Sequence, residues 1–366
     1  MTRRLLHSLL KLSLTTPDGQ GSEQIEEMLR CAHEKEWEQT VLSMRLHRLL
    51  PIVSYFLTTY GLTHTVPSPY LPLLQSAHRQ TRRKNAILLL ALGRILEQMQ
   101  AKGLHPVIWK GAVLVDSFYP DLGTRLMGDL DFALPRHELS EATSIFESLG
   151  FSIQEQMETS DAVYFANEAG ILCDVHHRVR LFEGQNPQTL TLDLQPKQMR
   201  IPTLTALEPN AMLVHLLVHM DGHRSEMGPL LSWILDLVFV LREWGHLIEL
   251  ERLKALMPAS ENLMSLFRIL RFLEQEFDEP LPCSLANAVC QVVPLTLDEI
   301  LRHRRLAMWE LPYPRGWVRL GASRLGYKFK QYRPDLDTSD LRLWVSDALT
   351  LPLARLRPHQ RWTSLS

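Results

Sequence analysis

Asp129 and Asp131 stand two residues apart at the start of a run, Leu130–Leu134, that alternates apolar and acidic residues and stops at Pro135. That is the pattern of a half-buried strand. Alternate strand side chains share a face, so both carboxylates leave on the same side. Like charges so placed repel unless a cation lies between them, and Mg2+ suits hard oxygen ligands. A third carboxylate, Asp174, falls in another short apolar run, Ile171–Val175. Upstream, Lys110-Gly111 marks a strand-to-helix turn, where a glycine lets the backbone N–H groups of Gly111 and Ala112 approach a phosphate. Lys110 and Arg125 add positive charge of the kind that binds phosphate. A bare Asp-x-Asp is equally the outer face of an ordinary acidic strand. The conjunction of turn, cation, acid pair and third acid, in that order, selects phosphoryl or nucleotidyl transfer.

The histidines form a second constellation. His215, His219 and His223 recur every four residues, so they lie along one helix face. Such spacing serves zinc binding, contact with an acceptor or nucleotide, or polar packing; no Glu accompanies it in the frame of a zinc protease. His176 lies two residues beyond Asp174 and shares its strand face, whereas His177 points the other way. His176, His215 and His219 are the candidate substrate-side residues. Asp236 interrupts the apolar run Leu230–Leu241 and reads as a paired structural acid, because an unpaired buried charge is costly.

The elements that must position these residues follow from periodicity. Helical spacing runs through Glu23–Tyr60 and again through Leu71–Lys102, with a Pro-rich loop between. His105–Trp109 predicts a strand, Ala112–Tyr119 a helix, and His137–Leu149 another helix closed by Gly150. Ala162–Ala166 and Ile171–Val175 predict two strands joined by Asn167–Gly170. Helices return at Asn210–His223, Leu230–Trp244, Leu250–Met257 and Glu261–Phe277. The expected organisation is a helical region over 1–101, an α+β core over 102–200, a helical bundle over 201–293, and a basic Arg- and Trp-rich extension over 294–366. The fold class is α+β: a small mixed or antiparallel sheet with helices, embedded between helical regions.

With 366 residues, the chain is long enough for two or three units. A formal charge of −2 disfavours wholesale nucleic-acid binding. From Leu301 to Ser366 there are 13 Lys or Arg against 5 Asp or Glu, so the tail is basic and the body acidic. A basic tail can hold an acidic substrate or nucleic acid; packing on the acidic body is the favoured reading. Four scattered cysteines without a Cys-x-x-Cys pair point to a reducing compartment, hence the cytoplasm. The opening MTRRLLHSLLKLSL reads as an amphipathic helix rather than a targeting signal, and no apolar run reaches membrane-spanning length.

The residues from Lys110 onward resemble the polymerase-β superfamily of nucleotidyltransferases, in its stand-alone group. The resemblance rests on Lys110-Gly111, an aliphatic helix, Tyr119-Pro120, Arg125 and Asp129-Leu130-Asp131. It continues through Asp174-Val175-His176, the histidine-bearing helix after Pro209, and the Leu-rich helix with Trp and Asp at 230–241. It implies Mg2+-dependent transfer of a nucleoside monophosphate from an NTP, with two Mg2+ ions held by Asp129, Asp131 and Asp174. The partners implied are the NTP and an acceptor of open identity: a small molecule, sugar, peptide or protein side chain. The wider superfamily carries Gly-Ser or Gly-Gly where this chain has Gly111-Ala112, so Lys110 takes over the missing serine contact. The rival reading is a catalytically idle nucleotidyltransferase fold that binds a nucleotide or a partner protein.

Overall fold

A computed structural model of the chain describes residues 2–14, 22–154, 161–178, 189–197, 204–222, 230–257 and 260–302. The expected basic extension falls almost wholly outside them, as does His223. No helix among the described residues is long and apolar enough to cross a membrane.

The helical lead-in comprises α1 (Thr2–Leu14), α2 (Ser22–Cys31), α3 (Glu34–Leu46), α4 (Leu50–Thr59) and the long α5 (Leu71–Ala101). In α1, Leu5, Leu6, Leu9 and Leu10 recur at helical spacing and are all buried, so this amphipathic stretch is part of the core. The single helical period over Glu23–Tyr60 resolves into three helices. One break is the turn at His47–Arg48, with Pro51 in the first turn of the next helix, where its missing N–H costs nothing.

The α+β part then runs β1 (Val107–Ile108), α6 (Gly111–Ser117), β2 (Leu130–Ala133), α7 (Leu139–Ser148), β3 (Phe151–Ile153), β4 (Ala162–Asn167), β5 (Leu172–His176), β6 (Thr191–Leu194) and β7 (Leu204–Leu207). These strands form one mixed sheet in the order β3-β4-β5-β2-β1-β7-β6. The centre is parallel at β2/β5 and β1/β7 and antiparallel at β1/β2; both outer pairs are antiparallel. The mixed α+β architecture agrees with expectation. The strands β3, β6 and β7 were not foreseen. The β6 strand is only partly buried, so it lacks an apolar run. Pairing of β7 with β1 carries the sheet past residue 200.

Alternation along the central strands separates core from site. Leu130 and Phe132 on β2 pair with Cys173 and Val175 on β5, and all four are buried to within 1%. The intervening positions, Asp131 and Asp174, therefore share the opposite face. After the sheet, in chain order, come α8 (Pro209–Gly222), α9 (Leu231–Trp244), α10 (Leu250–Leu256), α11 (Ser260–Phe277) and the short α12 (Ala286–Val289). One continuous hydrophobic core runs from Leu5 to Leu301.

Candidate active site

The centre of the site is a register. Asp131 on β2 lies directly opposite Asp174 on β5, and Ala133 opposite His176. From there His176 brings its Nε2 to 3.5 Å from Asp131 Oδ1. Asp131, Asp174 and His176 each offer a ligand atom within 4.8 Å of the others. Asp129, one residue ahead of β2, is half-buried and outside this group, though its charge is felt at Lys110.

Lys110 reaches the same place from the neighbouring strand. It follows β1 with φ 51° and ψ −126°, a conformation that favours glycine. A non-glycine residue held there costs about 1–3 kcal/mol and persists only where the surroundings dictate it. Its Nζ donates to Asp131 Oδ1 at 2.6 Å. Burial alone would push the Asp131 carboxyl up, but Lys110 and His176 hold it well below the usual carboxylate range. Burial works against the Lys110 ammonium too, and Asp131, with Asp129 and Asp174 behind it, raises its pKa. In this structure, then, Lys110 neutralises an acid of the site directly.

Arg125 is committed differently from the expected phosphate contact. Its Nε and Nη2 donate to Asp236 Oδ1 and Oδ2 on α9 at 2.6 and 2.8 Å, and the Tyr119 hydroxyl donates to Asp236 Oδ1 at 2.6 Å. Burial would lower the Arg125 pKa; this bidentate partner raises it. Asp236 is thus the paired structural acid that its apolar surroundings demand. Gly111 lies tight against this clamp: a Cβ there would stand 3.1 Å from Arg125 Nη1 and from Met127, so those side chains would have to give way.

Between Tyr119 and β2 the chain is held by the lead-in. Asn85, fully buried on α5, donates its Nδ2 to the carbonyls of Leu122 and Arg125, each at 2.6 Å. His78 pairs with Asp121 at 2.8 Å. The sequence reading missed these supports, because a polar residue on one long helix carries no local mark of what it touches.

The helix histidines are packed against tryptophans. His215 stacks on Trp109 at 4.6 Å between ring centres and 11° between planes, and His176 meets Trp109 edge-on at 5.2 Å. His219 meets Trp233 at 5.3 Å. Burial, then the charges of Lys110 and His219, pull the His215 pKa well down, so the ring is neutral; its buried Nε2 has no hydrogen-bond partner. His215 therefore joins the site through Trp109, whereas His219 lies one helical turn further along. Among the described residues neither His215 nor His219 belongs to a group of side chains placed to hold a metal ion.

Two acids in register on a mixed sheet, beside a lysine-bearing strand-to-helix turn, fit a nucleotidyltransferase. The chain belongs to a family of uncharacterised nucleotidyltransferases, whose model matches residues 33–277. No curated protein matches it. Among solved structures it is similar to the antibiotic-resistance factor ANT(2'')-Ia in solution, at 15% identity and TM-score 0.38 over 50% of this chain and 95% of that one. A crystal structure of ANT(2'')-Ia with adenylyl-2''-tobramycin gives 15% identity and TM-score 0.36 over 46% and 93%. An antigenic nucleotidyltransferase-like protein from Paracoccidioides brasiliensis gives 13% and 0.36 over 54% and 95%.

Proposed function

We propose that this nucleotidyltransferase moves a nucleoside monophosphate from an NTP to an acceptor hydroxyl or phosphate at the face shared by β2 and β5. The observation that carries the reading is the Asp131–Asp174 register with Lys110 against it. Asp131, Asp174 and His176, with Asp129 beside them, would hold Mg2+, one or two ions. The buried His176 Nε2 without a hydrogen-bond partner and the clustered carboxylates fit a cation there. When bound, the metal draws charge from the phosphates and lowers the pKa of the acceptor hydroxyl.

The protein's own groups do the rest. The acceptor oxygen forms its bond to the α-phosphorus as the bond to the bridging oxygen breaks, and pyrophosphate leaves with that electron pair. Asp174, half-buried at the open side of the pair, receives the acceptor's proton. Lys110, with the Gly111 and Ala112 amides, faces the phosphates, and Arg125 braces that turn from behind. Trp109 and His215 supply a rigid wall on the substrate side. Such chemistry is mostly positioning and charge neutralisation.

Titration of ATP, GTP, CTP and UTP with and without Mg2+, followed by pyrophosphate release with candidate acceptors, tests the reading. Asp174→Asn should leave NTP affinity within a few-fold and lower turnover by ~10²-fold or more. Unchanged turnover would remove Asp174 from the reaction. Metal-independent binding without turnover in the wild type would favour an idle nucleotide-binding module.

A further inference from the structure

Five helices among the described residues end at a residue of positive φ, and in one of them that residue is an arginine. After α5 and α7 the left-handed position is filled by Gly103 (φ 76°) and Gly150 (φ 81°). After α3 it is filled by Arg48, at φ 59°. The hydrogen bonds are those of a standard helix stop: Leu49 N–H to Met44 O at 2.7 Å and Arg48 N–H to Arg45 O at 3.1 Å. Glycine would make them without a Cβ penalty. Asp278, which occupies a similar place after α11, is of a type that tolerates this backbone; arginine is not.

The turn is anchored on both sides of Arg48. His47 is 1% exposed and its Nδ1 accepts the Leu231 N–H at 3.2 Å, at the first turn of α9; Leu49 is fully buried. Arg48 itself is exposed to solvent. It has no ion pair or side-chain hydrogen bond among the described residues. His47 fixes the turn to the start of α9, the helix whose Asp236 holds Arg125, so Arg48 is mounted beside that pair at the edge of the site. Although the residue reaches solvent, partial burial and then the like charge of Arg125 lower its pKa, against the pull of Asp129 and Asp236. Asp236 is already occupied by Arg125 and Tyr119. Lys110 is occupied by Asp131. A triphosphate arriving at the acids thus meets two cations already engaged and a third, rigidly mounted and unengaged.

We propose that Arg48 grips the β- and γ-phosphates of the NTP, presented from the helical lead-in beside the start of α9. The proposal rests on the nucleotidyltransferase reading above and adds to it the residue that distinguishes triphosphate from monophosphate. Arginine suits this task because its planar fork meets two phosphate oxygens at once, which a lysine ammonium does not.

Arg48→Gly is the informative variant, because glycine fits the turn and the protein should fold with an equal or higher Tm. Calorimetric titration with Mg2+ should show affinity for the preferred NTP and for inorganic pyrophosphate lowered at least about tenfold, the scale of one lost charge-assisted hydrogen bond. Affinity for the matching monophosphate should stay within about twofold, and Arg48→Lys should restore part of the loss. Unchanged NTP and pyrophosphate affinity in Arg48→Gly would overturn the role of Arg48 while the nucleotidyltransferase reading stands. Equal loss for NTP and monophosphate together with a lower Tm would also overturn it, as the mark of a structural residue. A wild-type protein that binds none of the four NTPs would instead remove the reading beneath the proposal.

Discussion

Lys110 Nζ and Asp131 Oδ1 lie 2.6 Å apart, so an acid suited to metal binding already has a cation from its own chain. The repulsion expected of clustered carboxylates is therefore discharged before any metal arrives. A divalent ion at Asp131 must take the second carboxylate oxygen, share Oδ1 with the ammonium, or displace it, and in each case it competes with the lysine for the same charge.

Removing Asp131's charge should consequently destabilise the protein rather than relieve it. Asp131→Asn leaves Lys110, which is 18% exposed, facing a neutral amide. Losing one partner of a buried pair costs about 3–5 kcal/mol; the partial exposure of Lys110 places the effect at the lower end. A melt in chelator should show a Tm several degrees below wild type. A higher Tm would mean that repulsion dominates after all.

Lys110→Met keeps the stem and deletes the charge. Asp131 and Asp174 then face each other without an ammonium against them, and the Asp131 pKa should climb. In chelator this variant should melt below wild type. Added Mg2+ should raise its Tm by more than it raises the wild type's, since a ligand of the native state stabilises by mass action and its competitor is gone. Equal shifts in both proteins would count against a metal at Asp131.

The two pairings give opposite limbs of a pH profile. Asp131 has a depressed folded pKa, so its contribution is complete above about pH 3.9 and fades as pH falls through the folded value. Lys110 has a raised folded pKa, so its contribution is complete below about pH 10.4 and is lost as pH rises through the folded value. Between those limits the pair contributes no slope. His215 does contribute one: its folded pKa lies well below about 6.5, so the stability it confers is full above that pH and declines beneath it. Tm measured from pH 8 to 5 should fall in the wild type and fall less in His215→Phe.

Asp236→Asn should undo a support remote in sequence. It removes the negative charge and replaces one acceptor oxygen by an NH2 donor, so the bidentate fork from Arg125 is broken and a buried guanidinium loses its counter-ion. A loss of about 3–5 kcal/mol is expected from denaturant melts. Arg125→Lys, which cannot make the fork, should recover only part of the stability when compared with Arg125→Ala.

Cys173 offers a simple check on β5. It is fully buried beside Asp174, and burial followed by the nearby acids pushes its thiol pKa well up. Cys31, Cys283 and Cys290 are exposed. A thiol reagent should modify those three in the native protein and reach Cys173 only on unfolding. Rapid reaction at Cys173 would place β5 elsewhere.

Residues that act through short-range pattern were legible in the sequence. Strand alternation around Asp131 and Asp174, the Lys110-Gly111 turn and the Gly150 stop all correspond to observed elements. Residues that act through distant partners were not. Arg125 looked like a phosphate ligand because its partner, Asp236, is 111 positions away. Arg48 left no trace, since Leu-His-Arg-Leu-Leu continues the apolar period across a helix end. His215 and His219 read as three possible chemistries until Trp109 and Trp233 were found against them.

The parallel pairing of β2 with β5 has a consequence for how such a site can diversify. No tight turn joins these two strands; the residues from Leu134 to Ile171 leave one and return beside it, carrying α7, β3 and β4. The distance between the two acids is a property of the sheet's own hydrogen bonds, independent of the length of that excursion. Insertions or exchanges within it can therefore reshape what approaches the acids while their separation stays constant, so acceptor choice and catalytic geometry are free to vary separately.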